Sequence, residues 1–372
     1  MGELPLYLCR CAQRRCSLAG EVYGEVYGDM HGVFRKIIGT IFSVSVIASI
    51  LASMVLGLAS CGGEGKVHRY EAEFMKLFDT ITRIVAYTDS KEEFTRYSQL
   101  IYDNLNEYHQ LFDIYNEYRR IIDLILFAKS CYVKTEGEMN IAFGSVLKIW
   151  HDYRTAGVED PDNARLPPED KLKEAAKHTD INKIIVNEKE STVYLEDPHM
   201  SLDVGAIGKG YAAEQVSRIA AENGFVSGLI SVGGNICAIG KKQNSKPWNV
   251  GIQNPDTDSR EADIEVVYLI DKSLVTSGVY ERYYTVDGIN YHHIIDPDTL
   301  YPARNFKSVT IICDDSGLAD AMSTAVFNMP FRHGYEYVEG LPGVEAFWVM
   351  DDGEIKYSSN FVSFKNINNI IY

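Results

Sequence analysis

The chain has 372 residues and 46% hydrophobic content, enough for one or two domains with an ample core. Its 36 Lys and Arg stand against 52 Asp and Glu, a net charge of −16. That balance argues against nucleic acid or an anionic lipid surface as partner, since neither approaches without a local basic patch.

The N-terminus speaks to location. Residues 30–36 form a short basic head and residues 37–60 carry no charge, a run long enough to span a bilayer. The run is rich in Ser, Ala and Gly, however, and ends in Leu58-Ala59-Ser60-Cys61-Gly62-Gly63. This resembles the lipobox of bacterial lipoprotein signal peptides, with cleavage before Cys61 and a diacylglyceryl group on its sulfur. The expectation is an extracytoplasmic protein, lipid-anchored to a bacterial membrane. Residues 1–29 repeat Glu-Val-Tyr-Gly and would place the basic head inside the chain, so they read as an over-extended start with Met30 the working initiator. The expected organisation is extension 1–29, signal peptide 30–60, tether 61–68 and one folded domain over 69–372. Without residues 1–60 the count is 31 basic against 48 acidic residues. Beyond Cys61 only Cys131, Cys237 and Cys313 remain, with no metal-site or disulfide spacing, and apolar flanks mark the last two as buried thiols.

In chain order, residues 69–88 alternate as one or two strands, and residues 91–115 carry helical apolar spacing through Phe94, Tyr97, Ile101, Leu105, Tyr108 and Phe112. Two more helices are predicted over 121–132 and 141–154, then a proline-rich acidic loop over 156–170 and a short helix at 172–178. Residues 183–186 and 192–195 form a hairpin across Asn187-Glu188-Lys189-Glu190-Ser191. Further strands fall at 229–232, 248–252, 264–270, 309–313 and 346–350, with helices at 210–223 and 318–327. Strands outnumber helices and do not repeat as βαβ units, which favours an α+β fold.

Two motifs carry chemistry. In the first, residues 291–299 crowd His292, His293, Asp296 and Asp298 around Pro297, and Asp315 and Ser316 offer N-caps to the helix that follows. On that helix Asp320 and Thr324 stand four residues apart and share one face. A carboxylate and a hydroxyl so placed suit a hard cation such as Mg²⁺; a solvated first-turn acid beside a back-bonded threonine is the plainer alternative. The second is residues 201–212, a strand end feeding a helix, with Gly205, Gly208 and Gly210 allowing close approach and the helix start offering amides to an anion. Its glycine order is neither that of dinucleotide-binding sheets nor of a P-loop. Ser231-Val232-Gly233-Gly234-Asn235-Ile236 reads as a strand interrupted by a bulge or pressed against a ligand, and residues 276–284 as a hydroxyl-rich turn holding Arg282 among aromatics.

The runs DVGAIGKGYA (203–212), SVGGNICAIG (231–240), TSGVYERYY (276–284), HIIDPDT (293–299, with Pro302 following) and ADAMSTA (319–325) match, in order and spacing, the FAD:protein FMN transferase (ApbE) family. Looser matches cover Leu77-Phe78-Asp79-Thr80, residues 111–115 and residues 136–141, so the resemblance spans essentially the whole mature chain. It implies an α+β, T-fold-related domain of antiparallel sheets flanked by helices. It implies an enzyme that transfers FMN from FAD to a Thr or Ser hydroxyl of client flavoproteins, releasing AMP, with clients among subunits of membrane redox complexes. By position, Asp320 and Thr324 would hold Mg²⁺ with the Ala206 carbonyl, Ser323 lying close by. Phe78, Tyr115, Glu138, Met139, Asn140, Asp203, Lys209 and Ile294 would bind FAD. His293 would take the proton of the acceptor hydroxyl, a task suited to a histidine titrating near neutrality. The departures are Leu300 for the glycine usual after the DP-x-T turn, Asn140 for an acid and Phe78 for a methionine. A FAD pyrophosphatase using the same metal site, and an extracytoplasmic flavin-binding lipoprotein, are the alternatives.

Overall fold

A computed structural model of the protein describes residues 67–112, 118–280 and 282–365. The N-terminal extension, the signal peptide, Cys61 and Tyr115 lie outside these residues. None of the described helices is long and apolar enough to cross a membrane.

Strands β1 (His68–Leu77) and β2 (Thr80–Thr88) form an antiparallel pair, followed by helices α1 (Lys91–Phe112), α2 (Tyr118–Lys134), α3 (Gly144–Glu159) and α4 (Glu169–Ala176). The loop expected over 156–170 is shorter than predicted, because α3 continues to Glu159 and Pro161–Asn163 closes a 3₁₀ turn. The hairpin β3 (Ile184–Asn187) and β4 (Thr192–Leu195) precedes α5 (Gly208–Glu222), then come β5 (Gly228–Val232) and β6 (Asn235–Ile239). The second half adds β7 (Trp248–Gln253), β8 (Asp263–Leu269), β9 (Lys272–Gly278), β10 (Tyr283–Val286), β11 (Ile289–His292) and β12 (Phe306–Cys313). Helices α6 (Ser316–Asn328) and α7 (Phe331–Glu339) and strands β13 (Glu345–Met350) and β14 (Ile355–Tyr357) complete it. The fold is α+β, as expected.

Eight strands join into one sheet in the order β1-β2-β5-β6-β9-β12-β13-β14, with every neighbouring pair antiparallel. Its central strands are buried on both faces, and residues 309–313 are buried throughout, Thr310 included. Val309, Ile311 and Cys313 of β12, with Ala346 and Trp348 of β13, face a core shared with α1, α5 and α6. The alternate residues Ile312, Phe347 and Val349 face a second core roofed by Trp248, Val250, Ile252, Val267 and Leu269 of the β7–β8 hairpin. A third cluster, around Val146, Trp150, Leu172 and Tyr284, joins α3 and α4 to the small β10–β11 sheet.

Two sequence expectations change here. The paired glycines do not interrupt a strand. Gly233 (φ 55°) and Gly234 (φ 88°) make a two-residue turn joining β5 to β6, in the doubly left-handed form that matches strand twist. Residues 276–284 are likewise not one turn, since Thr276–Gly278 finish β9 and the Thr276 hydroxyl pairs with Thr310 at 2.8 Å across the sheet. The turn at Leu300, expected to differ for want of glycine, keeps a left-handed residue: Leu300 itself adopts φ 63°.

Candidate active site

Asp320 and Thr324, the pair expected to hold a metal ion, lie on a helix that meets another at its start. Helix α6 opens on Asp315, whose carboxylate accepts from the Leu318 amide at 2.9 Å, a side-chain N-cap as predicted. One turn further on, Asp320 is 5% exposed, so it is not the solvated first-turn acid considered above. Its Oδ2 accepts from the Gly210 amide at 2.8 Å. That amide lies in the first turn of α5, where no carbonyl within the helix can serve it, so Asp320 caps one helix from another and meets its positive end. The approach demands glycine: a Cβ on Gly210 would lie 2.3 Å from the Ser316 carbonyl oxygen and 2.5 Å from Asp320 Cβ. A second clasp fixes the same register, with Glu214 of α5 accepting from the Ser316 amide at 2.9 Å and Arg218 bridging Glu214 to Asp315.

A cleft of about 480 Å³ runs from this junction past the Gly233-Gly234 turn and the end of β9 to the segment after β11. Its size is ordinary for a site that takes one organic molecule. Asp320 and Thr324 both face it, and so do Ala206, Lys209, Asp203, Glu138, Met139, Asn140, His293 and Ile294, segments far apart in sequence. Phe78 is not among them: its ring packs edge-on against His109, and its amide donates to His109 Nδ1 at 3.1 Å. Ser323 is not either: its hydroxyl donates to the Asp320 carbonyl at 2.9 Å and pairs at 2.8 Å with Ser277, which does line the cleft. Asn140 faces the cleft, but its side chain is occupied structurally, accepting from the Ala142 amide and donating to the Thr179 carbonyl. Asp203 Oδ1 accepts from the Gly205 amide at 2.7 Å and so shapes the glycine turn ahead of α5.

The two adjacent histidines separate as neighbours on an extended segment should. His292 turns inward, donating from Nε2 to the Ala303 carbonyl at 2.6 Å, accepting at Nδ1 from the Ile294 amide and meeting Phe327 edge-on. His293 faces the cleft, and its buried Nδ1 has no partner among the described residues. Burial, followed by the charges of Arg282, His292, Arg154 and Lys209, pushes His293 down to about 3. The expectation of a group titrating near neutrality is thereby corrected: this imidazole is neutral throughout the physiological range. Burial raises the Asp320 carboxyl above its ordinary value, and Lys209, the Gly210 amide and Asn235 pull the other way. Burial, with Asp298 and Asp296 behind it, pushes Glu138 up to about 7.

Sequence reasoning missed several cleft residues, four polar ones among them. Arg154 faces it from α3, at the end of the stripe Phe143, Leu147, Trp150 and Arg154, a helical spacing that could have revealed it. Arg282 was noted only as a basic residue in a turn. Asn235 faces the cleft with its side chain toward the Asp320 carboxyl, and Asn328 carries a buried polar atom, Oδ1, without a hydrogen-bond partner among the described residues. With His293 Nδ1 that makes two unpartnered buried polar atoms on residues that line one cleft, where a polar ligand could satisfy them.

The ApbE family model matches residues 38–348, well over half of the sequence. The chain belongs to the ApbE family. Among similar proteins, the FAD:protein FMN transferase of Treponema pallidum (strain Nichols) is 35% identical over 244 residues, 62% of this chain and 65% of that relative. The FAD:protein FMN transferase of Klebsiella pneumoniae (strain 342) is 32% identical over 242 residues, 65% of this chain and 72% of that relative. The chain thus spans about two thirds of the length of these relatives. The crystal structure of the ApbE protein from Thermotoga maritima superposes with a TM-score of 0.70 at 30% identity, covering 80% of this chain and all of the other. The apo flavinyl transferase ApbE of Pseudomonas stutzeri, at 20% identity and a TM-score of 0.65, shares the fold over 81% of this chain and 98% of its own.

Proposed function

We propose that this protein transfers FMN from FAD to a Thr or Ser hydroxyl of client flavoproteins and releases AMP. One observation carries the reading: Asp320, Thr324 and Lys209 line the same cleft as His293, in a chain of this family. The Asp320 carboxylate, the Thr324 hydroxyl and the Ala206 carbonyl are hard oxygen donors, few in number. Among the described residues no three His, Cys, Asp or Glu converge on a metal ion. A cation that keeps water and phosphate oxygens in its shell, as Mg²⁺ does, fits that donor set. Bound there, Mg²⁺ would neutralise developing charge on the FAD pyrophosphate. Lys209 would hold phosphate oxygens from the same side.

His293 is neutral and so is able to accept the hydroxyl proton. The acceptor oxygen bonds to the flavin-side phosphorus as the bond to the AMP phosphate breaks, and AMP leaves with the bridging oxygen. Its basicity in the free protein is low chiefly because it is buried, and then because Arg282, His292, Arg154 and Lys209 add positive charge. The anionic pyrophosphate offsets those charges and raises it when substrate is present. Clients on membrane redox complexes, and a lipid on Cys61 holding the enzyme to the outer face of a bacterial membrane, complete the reading; the lipobox residues support it.

The test is to incubate the protein with FAD, Mg²⁺ and a candidate client domain, then weigh the client and assay AMP. The expected product gains the mass of FMN less water, keeps its flavin after denaturation and appears with one AMP. Free FMN and AMP beside an unmodified client would make the protein a pyrophosphatase. Tight FAD binding without AMP would make it a binding protein.

A further inference from the structure

We propose that Asn328 and Ser277 are positioning residues for the cation that Asp320 and Thr324 would hold. Their side-chain oxygens accept hydrogen bonds from waters in the cation's shell and so select an ion that keeps its waters. This rests on the metal part of the proposed function and names the groups that set its choice of ion.

Asn328 continues the row begun by Asp320 and Thr324. The three stand four residues apart on α6, so they share one face, and all three line the cleft. Asn328 is 6% exposed. The Ile295 carbonyl lies 3.5 Å from its Nδ2, and since a carbonyl only accepts, the amide nitrogen must be the end turned toward it. That leaves Oδ1, buried and without a hydrogen-bond partner among the described residues. A buried oxygen in that state is costly until a ligand or a water donates to it.

Ser277 reaches the same cleft from β9, which packs against α6. A count of protons fixes its role. The Ser323 hydroxyl has one proton and gives it to the Asp320 carbonyl at 2.9 Å. The 2.8 Å bond between Ser323 and Ser277 is then made with the Ser277 proton. Ser277 Oγ is left with lone pairs alone, so it accepts from the cleft and does not donate to it. It stands two hydrogen bonds from the main chain of Asp320.

An oxygen with no proton to give repels phosphate and carboxylate and suits a donor. Mg²⁺ binds through few protein oxygens and gives up its waters reluctantly, and those waters are donors. Ca²⁺ takes more oxygen ligands in a looser geometry. Acceptors set around the direct donors therefore favour the smaller ion.

The experiment lets Mg²⁺ or Ca²⁺ displace Mn²⁺, whose bound fraction is read by EPR. Full-length wild type, Asn328→Leu, Asn328→Asp, Ser277→Ala and Ser277→Thr are compared, alone and with ADP, which brings a pyrophosphate and no flavin. Asn328→Leu and Ser277→Ala are each expected to weaken Mg²⁺ by about tenfold and Ca²⁺ by less than about threefold. Asn328→Asp and Ser277→Thr keep an accepting oxygen and should bind Mg²⁺ within about threefold of wild type, or tighter. Melting temperatures without metal check that each variant is folded. Equal losses for the two ions, or unchanged Mg²⁺ affinity in either Asn328→Leu or Ser277→Ala, would overturn the proposal while leaving the metal in place. Wild type that binds neither ion, with or without ADP, would instead remove the metal from the proposed function and the inference with it.

Discussion

Asp320 shows how a buried acid in a candidate site can oppose stability. Its carboxyl is raised by burial, so the folded state prefers it protonated, and its contribution to stability falls as pH rises through and above the ordinary carboxylate range. Asp320→Asn keeps an oxygen for the Gly210 amide and removes the charge. The expected result is a higher urea midpoint than wild type at pH 7–8, a difference that closes near pH 4, and turnover lower by about 10²-fold or more. Added Mg²⁺ should raise the wild-type midpoint and leave the variant unmoved. The histidines act in the opposite sense. His292 is pushed down to about 4 and His293 to about 3, both chiefly by burial. The unfolded chain therefore binds more protons from about pH 3 to 6.5, and their contribution to stability, complete above that window, is lost as pH falls through it. His293→Gln should flatten the acid limb of a midpoint-versus-pH curve and slow transfer by about 10²–10⁴-fold. An unchanged acid limb would show that His293 is not held neutral in the fold.

At the scale of elements, the junction of α5 with α6 decides whether the site exists. Gly210→Ala pushes a methyl against the Ser316 carbonyl, and overpacking of this kind costs about 1–3 kcal/mol. The outcome to look for is a lower melting temperature together with weaker Mg²⁺ dependence, because Asp320 loses its amide as the helices part. Full activity at reduced stability would mean the contact is structural alone. The same junction shows what the sequence carries. That Asp320 and Thr324 share a face follows from periodicity, and the N-cap at Asp315 from residue type. Burial of Asp320 against Gly210 does not follow, since it depends on a contact 110 residues away. Short strands were the harder part to read. β6 hid behind Gly233-Gly234, read as a break when the pair is a turn, and β9 behind hydroxyls that pair with β12. Helix α7 escaped because Gly334 sits in its centre, packed close to Val326. Ser323 was assigned by proximity along the chain, whereas its hydroxyl is engaged by the Asp320 carbonyl and Ser277.

For the whole molecule, the resemblance was legible because five ordered motifs converge on one cleft, while Arg154, Asn235 and Asn328 were not, since single polar residues acquire meaning only once folding assembles them. The proposed location of the enzyme would rest on a lipid at Cys61. Cys61→Ala is expected to abolish lipid labelling and to release the protein from membranes with its FMN transfer rate intact. Retention through a high-salt wash would show that the apolar run of residues 37–60 holds it instead. The other thiols offer something different. Cys131, Cys237 and Cys313 are buried and unpaired, and burial pushes them up to about 11, 11 and 12. A thiolate is the species that reacts, so these sulfurs are silent to alkylating reagents while the fold is closed. They sit on α2, on β6 and on β12, the helical layer and two strands of the central sheet. Timed alkylation read peptide by peptide would therefore report how often each layer opens, and whether filling the cleft slows the sheet and the helices together or one before the other.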